Sequence, residues 1–310
     1  MGHKVVHLTK ACKIKVKNEN LILYLYDDDK EVKVTTKDIN FILFDNTKFS
    51  ITGKAIELLA KNNIATLFID DQFNPSSILT PYHQHSTMTT IAHTQISLSK
   101  EFKEKIWQDI VISKIQNQAK VLQLCQNKKY EDLEKLSAQV QLYDKNNDEA
   151  QSARVYWKAL FRNPMFKREQ GAKDINNSML NYGYAILRAT MARSVSASGL
   201  LLVFGIWHNN KYNAFNLVDD LIEPFRAFVD IDIKLLKKQY PNKTFLDTEL
   251  KREIITLLNF ECVDINKGTT NLLKAIELFV INYKKSILKD DTSLVVYPSI
   301  NQDYFKYECL

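Results

Sequence analysis

The sequence predicts an α+β protein in which a β-rich N-terminal domain is followed by an all-α domain. Three observations carry this. Strand-like alternation of apolar and polar residues is confined to roughly the first 80 residues; from Leu98 the apolar positions recur every three to four residues; and glycine and proline vanish between Leu98 and Pro164. At 310 residues the chain exceeds the usual size of one domain, which agrees with two.

Taking the elements in order, Cys12 to Lys17 alternates strictly, Asn18-Glu19-Asn20 turns the chain, and Leu21 to Tyr26 is rich in strand formers, so the first element is a hairpin. Further strands are expected at Glu31 to Thr36, Ile39 to Phe44 and Ile64 to Asp70. A short helix over Gly53 to Asn63 has Thr52 as its cap. Asn74-Pro75-Ser76-Ser77 and Thr80-Pro81 then punctuate the chain, because each proline pushes the residue before it out of helical geometry. The organisation read from these signals is a β-rich domain over 1–80, a linker over 81–97, a helical domain over 98–290 and a tail over 291–310. Within the helical domain, helices are expected near 98–126, 131–142, 148–161, 174–198, 214–240, 246–258 and 269–287, with a kink or restart at Pro224.

Composition narrows the function classes. Hydrophobic residues at 45% and charged residues at 25% leave no sign of extended disorder, and no apolar run approaches the roughly 20 residues of a membrane helix. The opening Met1-Gly2-His3-Lys4-Val5-Val6-His7 carries neither a secretory core nor an acylation signal, so a cytoplasmic location is expected. Cys12, Cys125, Cys262 and Cys309 are too scattered for a zinc site or a disulfide scaffold. A net charge of +6 and a pI near 8.9 permit a polyanionic partner, though many proteins that never touch nucleic acid are as basic. The charge comes mostly from lysine, with seven arginines in the chain, a balance that suits backbone phosphate contacts better than bidentate base reading. Seven glycines leave little material for a nucleotide-cradling loop.

Three pieces of the helical domain attract attention. Glu149 stands at the head of the stripe Ala153, Trp157, Leu160, where an inward carboxylate calls for a cation, unless it is simply a first-turn glutamate favoured by the helix dipole. His208 ends the glycine-marked turn Gly205-Ile206-Trp207-His208, and is either a ligand or a hydrogen-bonded filler at the edge of the core. Asp220 and Glu223 lie three apart on one helical face and repel each other without a cation, unless they form a solvated acidic turn. Together Glu149, His208 and Glu223 offer two hard oxygens and one nitrogen, a set suited to Mg2+ or Mn2+ and hence to phosphoryl transfer on DNA.

Four blocks resemble one family: Glu149-Ala-Gln-Ser-Ala-Arg-Val-Tyr-Trp; Leu180-Asn181-Tyr182-Gly183-Tyr184-Ala185 within Asp174 to Leu187; Gly205-Ile206-Trp207-His208; and Asn216-Leu-Val-Asp219-Asp220-Leu-Ile-Glu223-Pro224-Phe225-Arg226. They resemble the DNA integrase of CRISPR adaptation, the spacer-acquisition nuclease. The order of the blocks and the fifteen-residue step from His208 to Glu223 match the family, and Phe73 to Leu79 resembles its interdomain segment. Ala150 departs from the glycine common after the first glutamate, a helix-compatible change, and Trp207 stands at a variable position.

The resemblance implies a dimerising N-terminal domain, a helical catalytic domain, catalytic and metal-ligating roles for Glu149, His208 and Glu223, and Asp220 as a further candidate ligand. It implies insertion of DNA fragments into a repeat array by 3′-hydroxyl transesterification, with Mg2+ or Mn2+ as cofactor. The implied partners are double-stranded DNA, a second copy of the chain, and a small second adaptation subunit in a heterohexamer. Glu223-Pro224-Phe225-Arg226 looks most like the type II branch, which adds the effector nuclease as a candidate partner. Arg154, Lys158, Arg168, Asn181 and Arg188 are the candidate DNA contacts, against the alternative of an ordinary solvated helix face. Two rival readings share these features: a metal-dependent nuclease acting on branched DNA in repair, and a non-catalytic DNA-binding scaffold.

Overall fold

The computed structural model describes residues 4–70, 75–79, 87–172 and 174–309, which fall into two compact units, Met1–Ser86 and Thr87–Leu310. The opening tripeptide and residues 81–86 of the expected linker lie outside the described residues, as do Phe73 and Asn74 of the expected interdomain segment.

The first unit holds β1 (Lys4–Leu8), β2 (Cys12–Lys17), β3 (Asn20–Leu25), β4 (Lys30–Thr35), β5 (Ile39–Phe44), β6 (Phe49–Ile51), α1 (Gly53–Lys61), β7 (Ala65–Ile69) and β8 (Pro75–Leu79). They build two four-stranded sheets, ordered β1-β5-β7-β8 and β4-β3-β2-β6. The expected hairpin pairs Val16 with Leu21 and Lys17 with Asn20. Asn18 and Glu19 both take positive φ, 49° and 56°, the turn whose twist matches that of the strands. In β2, Cys12 and Ile14 point into the core and Lys13 and Lys15 away from it, while all six residues of β5 are buried because that strand is covered on both faces. Thr52 caps α1 by accepting from the Ala55 N–H at 3.3 Å. The short strands β1 and β6 lacked a clear alternation, and β8 occupies residues read as resembling an interdomain segment.

The second unit is built on α3 (Lys100–Leu124), preceded by α2 (Met88–Ser97) and followed by α4 (Tyr130–Gln139), α5 (Asp148–Leu160), α6 (Ile175–Ala197), α7 (Asn216–Leu221), α8 (Arg226–Gln239) and α9 (Thr248–Thr256). Then come β9 (Val263–Ile265), β10 (Gly268–Thr270), α10 (Leu272–Lys289), β11 (Ser299–Ile300) and α11 (Gln302–Cys309). Ser99 caps α3 by accepting from Phe102 N–H at 3.1 Å, and Phe102, Ile106, Trp107, Ile110, Ile115 and Leu122 are all buried along it. Each such side chain contributes about 1.5–3 kcal/mol of transfer free energy, so α3 is the mast against which α4, α5 and α8 pack. Gly183 on α6 faces α8 so closely that a Cβ there would stand 2.5 Å from Val229 Cγ1.

Two expectations need correction here. Residues 88–97, read as linker, form α2, whose Gln95 exchanges hydrogen bonds with the Leu201 backbone. The region after 291 is no free tail: β11 pairs with β9, and α11 follows it. The restart expected at Pro224 is present: α7 and α8 are joined by a single turn over Glu223–Phe225, because Pro224 lacks the N–H that a continuous helix needs. Among the described residues no helix is long and apolar enough to cross a membrane, and Cys12, Cys125 and Cys262 are free thiols.

Candidate active site

Glu149 is placed by the first turn of α5. The Asp144 carboxylate caps that turn, accepting from the N–H groups of Asp148 at 2.7 Å and Glu149 at 3.2 Å. The stripe Asp148, Ser152, Tyr156, Leu160 is the one that enters the core. Glu149, Ala153 and Trp157, expected inside, lie one residue round the helix and line a cavity of about 610 Å³ instead. Opposite them on α3 is Lys114, 7% exposed, and beyond it Glu223, 5% exposed, in the turn before α8.

These three groups form one electrostatic unit. The Lys114 Nζ lies 2.5 Å from Glu149 Oε1 and 2.5 Å from Glu223 Oε2, the latter out of good hydrogen-bond alignment, and Arg226 Nη1 donates to Glu223 Oε1 at 2.8 Å. Burial by itself would raise the Glu223 carboxyl, but Arg226 and Lys114 overturn that and hold it at about 2. Burial likewise opposes charge on Lys114, and Glu223 and Glu149 more than offset it, leaving the ammonium above its usual range.

His208 is held from the other side. The buried Asp220 accepts at Oδ2 from the N–H groups of Ile206 at 2.6 Å and Trp207 at 3.0 Å, and at Oδ1 from His208 N–H at 3.2 Å. The same Oδ1 lies 2.6 Å from His208 Nδ1. Gly205 makes this wrap feasible, since a Cβ there would meet His208 O at 2.2 Å and Asp220 Oδ2 at 2.9 Å. The Trp207 ring stacks on the buried Trp107 ring, centroids 5.2 Å apart and 5° from parallel, which gives that variable position a packing role. The Asp220 hydrogen bond lifts the His208 imidazole above its usual range, while burial lifts Asp220. Asp220 therefore stands in the structure as the group that orients His208, its oxygens fully engaged by loop donors.

Among the described residues no three His, Cys, Asp or Glu groups converge closely enough to enclose an ion; the two glutamates converge on an ammonium. Of the candidate DNA contacts, Arg154, Lys158 and Arg168 line the cavity together with Lys167 and Arg226, and Trp157, Phe166 and Tyr184 supply aromatic surface. Asn181 is reached through Arg168, whose Nη2 donates to it at 2.5 Å. Arg188 is committed elsewhere: it pairs with Asp219 at 2.6 Å and covers the Phe215 ring.

The sequence reading missed Lys114, Tyr184, Asp230 and Asn117 as parts of the site. Tyr184 lies under two guanidinium groups, Arg226 at 4.2 Å and Arg168 at 5.2 Å from its ring centre, and both its hydroxyl and that of Tyr156 donate to the buried Asp230. Asn117 Nδ2 donates to the carbonyls of Pro224 and Pro298 at 2.9 Å each, and its Oδ1 accepts from Ile300 N–H at 3.0 Å. One signal existed: Lys114, Asn117 and Gln118 are polar interruptions of an otherwise apolar helix face.

A family profile described as CRISPR associated protein Cas1 matches residues 5–255. A CRISPR-associated endonuclease Cas1 of Neisseria meningitidis serogroup C is 31% identical over 279 residues, covering 90% of this chain and 90% of that one. Among solved structures, a casposase bound to integration product matches with a TM-score of 0.77 at 20% identity, over 94% of this chain and 93% of that chain. A Cas6-RT-Cas1–Cas2 complex matches with a TM-score of 0.74 at 20% identity, over 98% of this chain and 36% of that chain. At these identities the two structures establish a shared fold.

Proposed function

We propose, from the premise that this chain belongs to the CRISPR-associated Cas1 family, that it is an endonuclease and integrase that inserts short DNA fragments into a CRISPR repeat array. The observation that carries the chemistry is the convergence of the Glu149 and Glu223 carboxylates on one cation, each at 2.5 Å, beside a basic cavity lined with aromatic rings. In the step, the 3′ oxygen of the fragment forms a new P–O bond at the repeat, the repeat's own P–O3′ bond breaks, and the departing oxygen leaves as a hydroxyl. One phosphodiester replaces another, so the reaction needs no nucleotide energy.

Glu149, His208 and Glu223 are the ligand set for Mg2+ or Mn2+ in this reading. The donor chemistry suits such an ion: two carboxylates give hard oxygens, and because Asp220 takes Nδ1, the His208 Nε2 is the nitrogen left to ligate. Such an ion, when bound, offsets the charge that builds on the attacked phosphate. Asp220 holds the imidazole, Arg226 holds Glu223, and Asp144 holds the turn that presents Glu149. Arg154, Lys158 and Arg168 follow the DNA backbone along the cavity, where Trp157 and Phe166 offer faces to unstacked bases. Asn181 supports Arg168 there, and Arg188 braces the loop before α7.

The partners of this activity are double-stranded DNA, a second copy of the chain joined through the β-rich unit, and the small second adaptation subunit in a heterohexamer. A structural relative that stands in a complex with Cas2 supports the last. The type II branch, with its effector nuclease, is the setting we assign.

The test is strand transfer of a short duplex with free 3′ ends into a repeat-bearing plasmid, with the purified partner subunit, in Mg2+, Mn2+ or chelator. Joined product is expected with either ion, and none in chelator or with Glu149→Gln or His208→Ala. Nicking without joining would assign the site to a nuclease, and DNA binding without any chemistry would assign the protein to a scaffold.

A further inference from the structure

Lys114 stands where the ligand set would close on an ion. Its ammonium lies 2.5 Å from an oxygen of each glutamate and is 7% exposed. A buried ammonium is stable only with opposite charge around it, and two carboxylates meeting at one point, Glu223 buried and Glu149 half-buried, repel each other unless a cation lies between them. Each condition satisfies the other here. With Arg226 on the second oxygen of Glu223, two carboxylates face two cations and the cluster is neutral.

An ion bound by Glu149 and Glu223 needs their oxygens at roughly 2.0–2.1 Å from itself, the distance for Mg2+. An ammonium already 2.5 Å from both oxygens occupies that space, and its charge repels the incoming ion. Lysine has a four-carbon flexible stem, and Lys114 also lines the cavity that Arg154, Lys158 and Arg168 make basic. That cavity is the direction open to it. It is also where a DNA phosphate would supply the negative charge that the displaced ammonium has lost.

We propose that Lys114 is a positioning residue that stands in for the divalent ion: it holds Glu149 and Glu223 together beforehand, is displaced towards the cavity when the ion binds, and makes ion and DNA phosphate bind cooperatively. This rests on the reading of Glu149, His208 and Glu223 as the ligand set. Its consequence is low ion affinity in the absence of DNA, so that the site loads chiefly on its substrate.

The test is calorimetric titration of Mn2+ into the full chain, with and without a short single-stranded oligonucleotide, for wild type, Lys114→Met, Lys114→Arg and Glu149→Gln. Without DNA, Lys114→Met should bind Mn2+ about tenfold more tightly than wild type, within the usual scale of coupling between two ligands. The oligonucleotide should tighten Mn2+ binding to wild type and leave the Met variant unchanged. In chelator the Met variant should melt below wild type, and Mn2+ should remove the difference. Equal or weaker Mn2+ binding by Lys114→Met would overturn the proposal. If that variant does not fold, Lys114→Arg decides: its guanidinium grips both carboxylates more firmly, so Mn2+ affinity must fall, and an unchanged affinity refutes displacement. Should wild type show no Mn2+ binding that Glu149→Gln weakens, the ligand set itself is wrong, an outcome separate from either result at Lys114.

Discussion

Replacing Asp220 by asparagine isolates its hold on the His208 ring. The aspartate meets four donors: Ile206 N–H at 2.6 Å and Trp207 N–H at 3.0 Å on Oδ2, His208 N–H at 3.2 Å and His208 Nδ1 at 2.6 Å on Oδ1. An amide keeps one acceptor. Its oxygen is best left at the Oδ2 position, where it retains two N–H groups, and its NH2 then faces His208. The backbone N–H of His208 loses its partner, but in an exposed loop residue that water can reach, so the loss falls short of the roughly 1–3 kcal/mol of a fully buried group. The ring must turn Nδ1 into an acceptor, which moves its proton to Nε2 and removes the lone pair that could hold an ion. Partners that orient a ligating histidine are worth about 10–100-fold in metal affinity, so Asp220→Asn should lose that much Mn2+ binding. It should also lose most strand transfer while folding nearly as well as wild type. Thermal unfolding in chelator, Mn2+ titration and strand transfer, run beside His208→Ala, separate the two effects. Wild-type Mn2+ affinity and transfer in a folded Asp220→Asn would refute the reasoning.

The remaining expectations concern the supports around the site. Gly205→Ala places a methyl 2.2 Å from His208 O, so the loop must shift; transfer should fall at least as far as in Asp220→Asn, and retained activity would show that the wrap tolerates a side chain. Asn117→Ala strands two carbonyls and one N–H in the core and should cost roughly 3 kcal/mol in unfolding experiments, a midpoint equal to wild type being the contrary result. Burial pushes the Asp230 carboxyl up to about 6, above its ordinary value of 3.8. Between those values the folded chain binds the extra proton, so this group's contribution favours folding on the acid side and is lost as pH rises through about 6. The stability of wild type relative to Asp230→Asn should therefore fall by up to about 3 kcal/mol from pH 4 to pH 7, and a flat difference would contradict the burial argument.

Much of the fold was legible because its signals are local. The hairpin at Asn18-Glu19, the Thr52 cap and the long apolar period of α3 each lie within a few residues of sequence, where backbone preference and hydrophobic pattern act directly. The failures have a common cause. Strands β1, β6, β9 and β11 are short and exist through pairing with distant partners, as Ser299 does with Asp264, so no local alternation marks them. The region after 291 read as a tail because Tyr297-Pro298-Ser299 breaks any regular element, whereas its backbone is tied down by Asn117, far back on α3.

The same division runs through the site. By itself the sequence singled out the candidate side chains for the chemistry: Glu149, the Gly205 to His208 turn and the Asp220 to Glu223 step are contiguous signals with a recognisable order. Only the tertiary structure decided how their charges are arranged. It set Asp220 to hold His208 and Arg188 to brace Asp219, and it placed Lys114, a lone lysine on an apolar helix face, between two glutamates 35 and 109 residues away in the chain. The reason is physical: periodicity records which face of a helix is buried, whereas the sign of a buried charge's neighbours depends on which helices meet there.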